Sequence, residues 1–261
     1  MSPLRHVVAI AALLIATSAP AVELNCKGPS NLEQFKYSWR LRGGLSWVAG
    51  LIFPTSGVGE MKTTYPKNGE RVIDSSLLLT SRVPGFYAYE TQIDENTQKT
   101  MMTYHGYAWK NKSRKERTSF DYARKLALIH KETPEKQWDR VEPLPPEQLH
   151  DILTAIYYLR QNAPNIHGPI YTSIFSDGEL YPVIFRPAER RVFNLQGKNI
   201  NALGFAIVDA PGGRKWPGGV KVWISDDARR IPFRIEIQQS MASLQLELTS
   251  VESCAFMQAA K

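Results

Sequence analysis

Residues 216–248 read WPGGVKVWISDDARRIPFRIEIQQSMASLQLEL, and their alternation decides the fold class. Val220, Val222 and Ile224 share one face of an extended chain, as do Ile231, Phe233, Ile235 and Ile237, and then Leu244, Leu246 and Leu248. Lys221, Arg234, Glu236, Gln245 and Glu247 share the other face. A period of two with one apolar side marks antiparallel strands that bury a single face. The stretch therefore predicts a three-strand meander. Its first turn is Ser225-Asp226-Asp227-Ala228-Arg229-Arg230, closed by Ile231-Pro232. Pairing Ile224 with Ile231, Val222 with Phe233 and Val220 with Ile235 keeps every pair on the buried face and leaves 225–230 as a loop.

The same pattern continues upstream. Phe35, Tyr37, Trp39 and Leu41 share a face, and after Gly43-Gly44 the segment Leu45 to Phe53 reads as a second apolar strand. Gly57 to Tyr65, Arg71 to Thr80, Phe86 to Ile93 and Met101 to Trp109 follow, divided by turn signals at Pro66-Lys67-Asn68-Gly69 and Pro84-Gly85. Tyr107 and Trp109 lie on one face of the last of these and Tyr104 on the other, so that strand is covered on both sides or borders a cavity. Lys110 to Arg117 reads as a basic turn, and Thr118 to His130 as one or two further strands. In the second half, Ile170 to Phe175, Leu180 to Phe185, Arg190 to Leu195 and Asn199 to Val208 read as strands. Asp177-Gly178 supplies a hairpin turn between the first two. Ala210 to Gly219 is a Gly- and Pro-rich connector.

One segment departs from the period of two. Leu149, Ile152, Leu153, Ile156 and Leu159 recur at helical spacing after Pro143-Leu144-Pro145-Pro146 and before Asn162-Ala163-Pro164. This predicts a helix over about 146–161, laid by its apolar stripe on the sheet. Arg160 falls in its last turn, where a cation suits the helix dipole.

The chain has 261 residues and a net charge of +7, enough to bury a full core. Its first residues, MSPLRHVVAIAALLIATSAPA, place Arg5 before a short apolar run and end in Ala19-Pro20-Ala21, which reads as a signal peptide over 1–21. The expectation is a single β-rich domain over 22–261, soluble and not membrane-spanning, that acts in the periplasm or is secreted. In an oxidising compartment two cysteines pair more often than not, so Cys26 and Cys254 are expected to form a disulfide, with two separate thiols as the alternative. The basic charge fits an anionic envelope surface or an ordinary solvated surface equally well.

Chemical motifs are sparse. His6, His105, His130, His150 and His167 have no zinc-ligand spacing, and neither a nucleophile elbow nor a dinucleotide fingerprint occurs. No metal, cofactor or nucleic-acid partner is expected, and no catalytic residue is assigned. Asp226-Asp227 forms a carboxylate pair, but adjacent aspartates at a hairpin tip commonly bond the local backbone. The candidate ligand-binding residues are Tyr157, Arg160, Trp223, Asp226, Asp227 and Arg230.

Three segments carry a resemblance: DILTAIYYLR over 151–160, VWISDDARRIP over 222–232 and LQLEL over 244–248, with Phe120-Asp121 as a fainter echo. Together with the leader, the chain resembles a bacterial envelope family called domain of unknown function 3108, firmly over 151–251 and loosely before. The resemblance implies an exported protein of mainly β (α+β) class: a strongly curved antiparallel half-barrel with one amphipathic helix in its concave side, similar to the lipoprotein carriers. It implies no catalytic residues. The expected function is non-enzymatic binding or carriage of an apolar ligand such as a lipid, an acyl chain or a lipidated partner. The alternative is an envelope assembly module with a filled core that contacts a protein partner through 226–230.

Overall fold

Alternation on this scale builds one sheet. In a computed structural model, which describes residues 29–253 apart from 44–53, 68, 146–147, 177, 217–218 and 239–241, fifteen strands join in a single sheet. They are β1 (Leu32–Arg42), β2 (Ser56–Thr64), β3 (Val72–Thr80), β4 (Gly85–Asp94), β5 (Thr100–Trp109), β6 (Lys112–Asp121), β7 (Leu126–Glu132) and β8 (Gln137–Pro143), followed by the short β9 (Leu149–His150). After helix α1 (Ile152–Asn162) come β10 (Ile170–Ser176), β11 (Glu179–Leu195), β12 (Lys198–Asp209), β13 (Gly219–Ser225), β14 (Pro232–Gln238) and β15 (Ser243–Ser253). The spatial order runs from β8 back to β1, then β15 back to β9. Every neighbouring pair is antiparallel except β9 with β10. Two meanders are thus joined through the long-range pairing of β1 with β15. The leader, the proposed strand at 45–53 and both cysteines lie outside the described residues.

The sheet curls around α1 and remains unclosed, since β8 and β9 share no ladder. Side chains bridge that seam. Phe120 meets Phe175 edge-on at 5.2 Å, and Arg140 on β8 donates to Glu179 and to the Gly178 carbonyl. The main core fills the concave side of β1–β3 and β10–β15, where Phe35, Tyr37, Leu77, Phe185, Val222 and Leu246 pack with Leu153, Ile156 and Leu159 of the helix. Burial of this kind contributes roughly 25 cal/mol per Å2 of apolar surface and outweighs the modest propensity of so short a helix.

Four expectations are corrected. The helix begins at Ile152, because Asp151 caps it: its carboxylate accepts from Thr154 N at 2.7 Å while Thr154 Oγ1 accepts from Asp151 N at 2.7 Å. Leu149 and His150 belong to β9 instead. The basic stretch expected as a turn is a tip only at Lys110-Asn111, and Lys112 to Arg117 continues into β6, with Lys110 at φ +52° turning the chain. The β13–β14 register is displaced: Val222 lies opposite Ile235 and Val220 opposite Ile237, with a bulge next to Trp223 and Ile224. A displacement of two keeps the apolar face inward, so alternation alone does not distinguish the two registers. The two strands expected at 180–185 and 190–195 are one strand, β11, that passes Pro187 through a bulge between Ala188 and Arg191.

Candidate functional site

The concave face is best read as rows that run across the strands. Row one reads Glu33, Thr63, Ser75, Thr91, Thr103 and Thr118 from β1 to β6. Row two reads Phe35, Met61, Leu77, Tyr89, His105, Glu116 and Lys131 from β1 to β7. Row three reads Tyr37, Gly59, Leu79, Tyr87, Tyr107 and Arg114. Rows two and three are apolar over β1–β3 and become aromatic and then ionic over β4–β7, while the helix backbone lies nearest β3, β4 and β9.

Beneath the C-terminal turn of α1 sits a buried ion pair. Arg160 and Glu33, both 2% exposed, form a two-pronged bridge at 2.7 and 2.8 Å. Tyr65 Oη donates to the same carboxylate at 2.9 Å, and Arg160 Nε and Nη2 donate to the carbonyls of Arg230 and Arg229 at 2.7 and 3.3 Å. Burial by itself would lower the guanidinium's pKa, but the Glu33 carboxylate overrides it and holds the group above its ordinary value. Tyr37, buried next to this pair, has its hydroxyl pKa raised by desolvation and donates to the Pro232 carbonyl at 2.9 Å. One cluster therefore bolts the helix to β1 and to the β13–β14 loop.

The six expected site residues separate. Arg160 meets the backbone of Arg230, while the Arg230 side chain reaches Asp226 at 3.6 Å. Asp227 folds the loop on itself, accepting from Ser225 Oγ at 2.9 Å and from Arg229 N at 2.9 Å. These bonds, with the Arg229 side chain, hold its carboxyl pKa below the usual range against the opposing effect of burial. Tyr157 lies away from that loop, packed with Ile73 and Ile93 and accepting from Gln161 at 2.9 Å. Trp223 faces the opposite, convex side. Its ring lies beneath the guanidiniums of Arg191 at 4.5 Å and Arg234 at 5.9 Å, and its Nε1 donates to the Glu189 carbonyl at 3.2 Å.

Next to the start of the helix the concave rows form an aromatic shelf. Tyr87 and Tyr107 stack at 5.9 Å, and Tyr89 and His105 stack at 4.5 Å with their planes 8° apart. All four rings are half-buried. Next to them Glu116, 4% exposed, bridges Arg114 at 2.8 Å and Lys131 at 2.9 Å, so two cations share one carboxylate. A recess of about 40 Å3 continues the shelf inward between Tyr89, His105 and Glu116, the helix start at Asp151–Leu153, and Phe175-Ser176. Sequence reading missed this group because Glu116 and Lys131 sit in charge-rich segments that resemble solvated turns. An available signal was the alternation of Arg114, Glu116, Thr118 and Phe120 once strand β6 is extended back to Lys112. Glu33 carried a similar signal, as an acid on the face of Phe35, Tyr37 and Trp39.

Among the described residues no cluster of three or more His, Cys, Asp or Glu is placed to hold a metal ion, and no helix is long and apolar enough to cross a membrane. Residues 48–249 match the family described as protein of unknown function DUF3108. The chain belongs to this family. The match extends the likeness well upstream of 151, across the strands that build the shelf. A crystal structure from Brucella abortus, titled a β-barrel-like protein of domain of unknown function DUF1849, has the same fold type: TM-score 0.55 at 9% identity, covering 85% of this chain and 97% of that one. No curated protein matches the chain.

Proposed function

We propose that this DUF3108 protein is exported and acts outside the cytoplasm as a non-enzymatic binder of an amphiphile, with the concave shelf as its site. One observation carries the reading. Over β1–β3 the side chains of rows two and three are buried and almost wholly apolar, and over β4–β7 they are half-buried rings ending in two cations around one carboxylate, with the start of the helix at the edge of the rings. Aromatic faces take an acyl chain or another apolar body, and the net positive trio Arg114, Glu116 and Lys131 suits an anionic head group. The expected lipoprotein-carrier likeness would place cargo on this same side. The leader at 1–21 motivates the location, and basic overall charge agrees with an anionic envelope setting.

A second reading, a filled-core assembly module, is favoured by the Arg160–Glu33 bolt, which fixes the helix as a permanent occupant of the remaining concave space. Native mass spectrometry of purified protein, followed by solvent extraction, separates the two. Binding predicts a co-purifying amphiphile that is lost in Tyr107→Ala/Arg114→Gln; bare protein that takes up no fatty acid supports the filled module.

A further inference from the structure

The convex face carries a second feature, independent of the shelf. One cross-strand row reads Arg186, Ala206, Lys221, Glu236, Gln245 and Arg40 from β11 to β1. The next row on the same face reads Ala188, Gly204, Trp223, Arg234, Glu247 and Ser38. Along this surface the acids and bases are largely matched: Arg234 and Arg40 both reach Glu247, at 2.8 and 3.3 Å, and Arg234 approaches Glu236 at 3.8 Å.

The matching stops at one end. A groove of about 430 Å3 opens there, with Ala206, Gly219, Ala242 and Ser243 among its lining residues and Arg186, Lys221 and Arg42 around it. All three cations are exposed, and among the described residues none of their side chains has a hydrogen bond or an ion pair within 4 Å, although Lys221 lies opposite Glu236 and within the field of Glu189. Glu236 is the one acid lining the groove, and Arg234 already draws on it. Geometry concentrates the charge further. Arg186 and Lys221 flank Ala206, two strands apart, so their Cα atoms are about 10 Å from each other across a methyl-sized floor. Side chains of that length converge on a single tetrahedral anion above Ala206. Arg42 stands three strands from β13, roughly 14 Å along the groove, within reach of a second anionic group on the same ligand.

We infer that this groove binds phosphate-bearing ligands, with Arg186 and Lys221 holding one phosphate over Ala206 and Arg42 holding the continuation of the molecule. A phosphate is favoured over a lone carboxylate because two separated cations flank Ala206, and a phosphate offers oxygens to both at once. The phosphate belongs either to a lipid head group at a surface or to a soluble molecule.

The test uses the full mature chain, wild type and Arg186→Glu/Lys221→Glu. Sedimentation with phosphatidylglycerol vesicles, against phosphatidylcholine vesicles as the neutral control, reads the lipid source. Calorimetric titration with inorganic pyrophosphate reads the soluble source. The expected result is binding in one of these arms that weakens at least tenfold in the double variant and falls as salt rises, while both proteins remain folded by circular dichroism. Preference for phosphatidylglycerol vesicles identifies a head group, and pyrophosphate binding without vesicle association identifies a soluble phosphate. Absence of binding in both arms, or equal binding by the folded double variant, overturns the assignment. Arg186→Gln supplies a second variant without charge reversal, and the inference requires that it also weaken binding.

Discussion

Replacing Arg160 with methionine leaves the Glu33 carboxylate buried beside Tyr65 without its counter-charge, and loss of one partner of such a pair costs about 3–5 kcal/mol. Urea denaturation of Arg160→Met is expected to show that loss, and Glu33→Leu/Arg160→Met to regain much of it. A deficit remains in the double variant because the carbonyls of Arg229 and Arg230 still lack their donor. If the single and double variants are equally destabilised, the pair is not what holds the helix. His150 provides a pH-dependent counterpart. Burial against Tyr158 and Phe185 pushes its pKa down to about 4 from an ordinary 6.5. Between those values the unfolded chain binds the proton and the folded chain does not, so stability falls as pH drops through that window, by on the order of 3 kcal/mol in total. Asp151, whose carboxyl pKa burial raises, works in the opposite direction and offsets part of the loss. His150→Phe removes the histidine contribution, so its acid unfolding midpoint should lie at lower pH than that of the wild type; an unchanged midpoint contradicts the assignment.

Elements were legible where one residue type dominates a face, and less so where a backbone device intervenes. The meander over 220–248 could be read from its apolar residues, yet its register could not, because a bulge at the β13–β14 junction changes pairing without changing which face is buried. The helix was legible from Leu153, Ile156 and Leu159, but its start was not: Leu149 continues the apparent stripe while belonging to a strand, and the cap is made by Asp151 with Thr154, where a glutamate or glutamine is the usual partner. Strand β11 reads from its alternation as two segments, 180–185 and 190–195, while the bulge between Ala188 and Arg191 lets one strand continue past Pro187. That bulge is tightly seated. A Cβ at Gly204 would lie 2.3 Å from the Glu189 carbonyl oxygen and 2.9 Å from Trp223 Nε1. Gly204→Ala is therefore expected to cost about 1–3 kcal/mol by overpacking and to alter the near-ultraviolet circular dichroism of Trp223. A variant with native spectrum and stability would show that β11 and Trp223 are not in such close contact.

At the scale of the molecule, two meanders are joined at β1 and β15 and meet again at a seam bridged, among the described residues, by side chains, and one helix occupies a curved interior of unequal chemistry. The half between β1–β3 and β10–β15 is apolar and filled, and each of its strands announces itself by alternation. The other half, β4–β8, carries tyrosines, a histidine and an ionic trio, and its meaning emerges only when the cross-strand rows are assembled: Tyr89, His105, Glu116 and Lys131 are far apart in sequence and adjacent in the sheet. This division is the basis for reading the protein as a binder of amphiphiles. It is tested most directly by titrating a fluorescent fatty acid into the wild-type protein and into Tyr107→Ala/Arg114→Gln. Saturable binding by the wild type, weakened at least tenfold in the variant while both remain folded, is the predicted result. Absence of saturable binding by the wild type, or equal affinity in the two proteins, would contradict a ligand on the shelf.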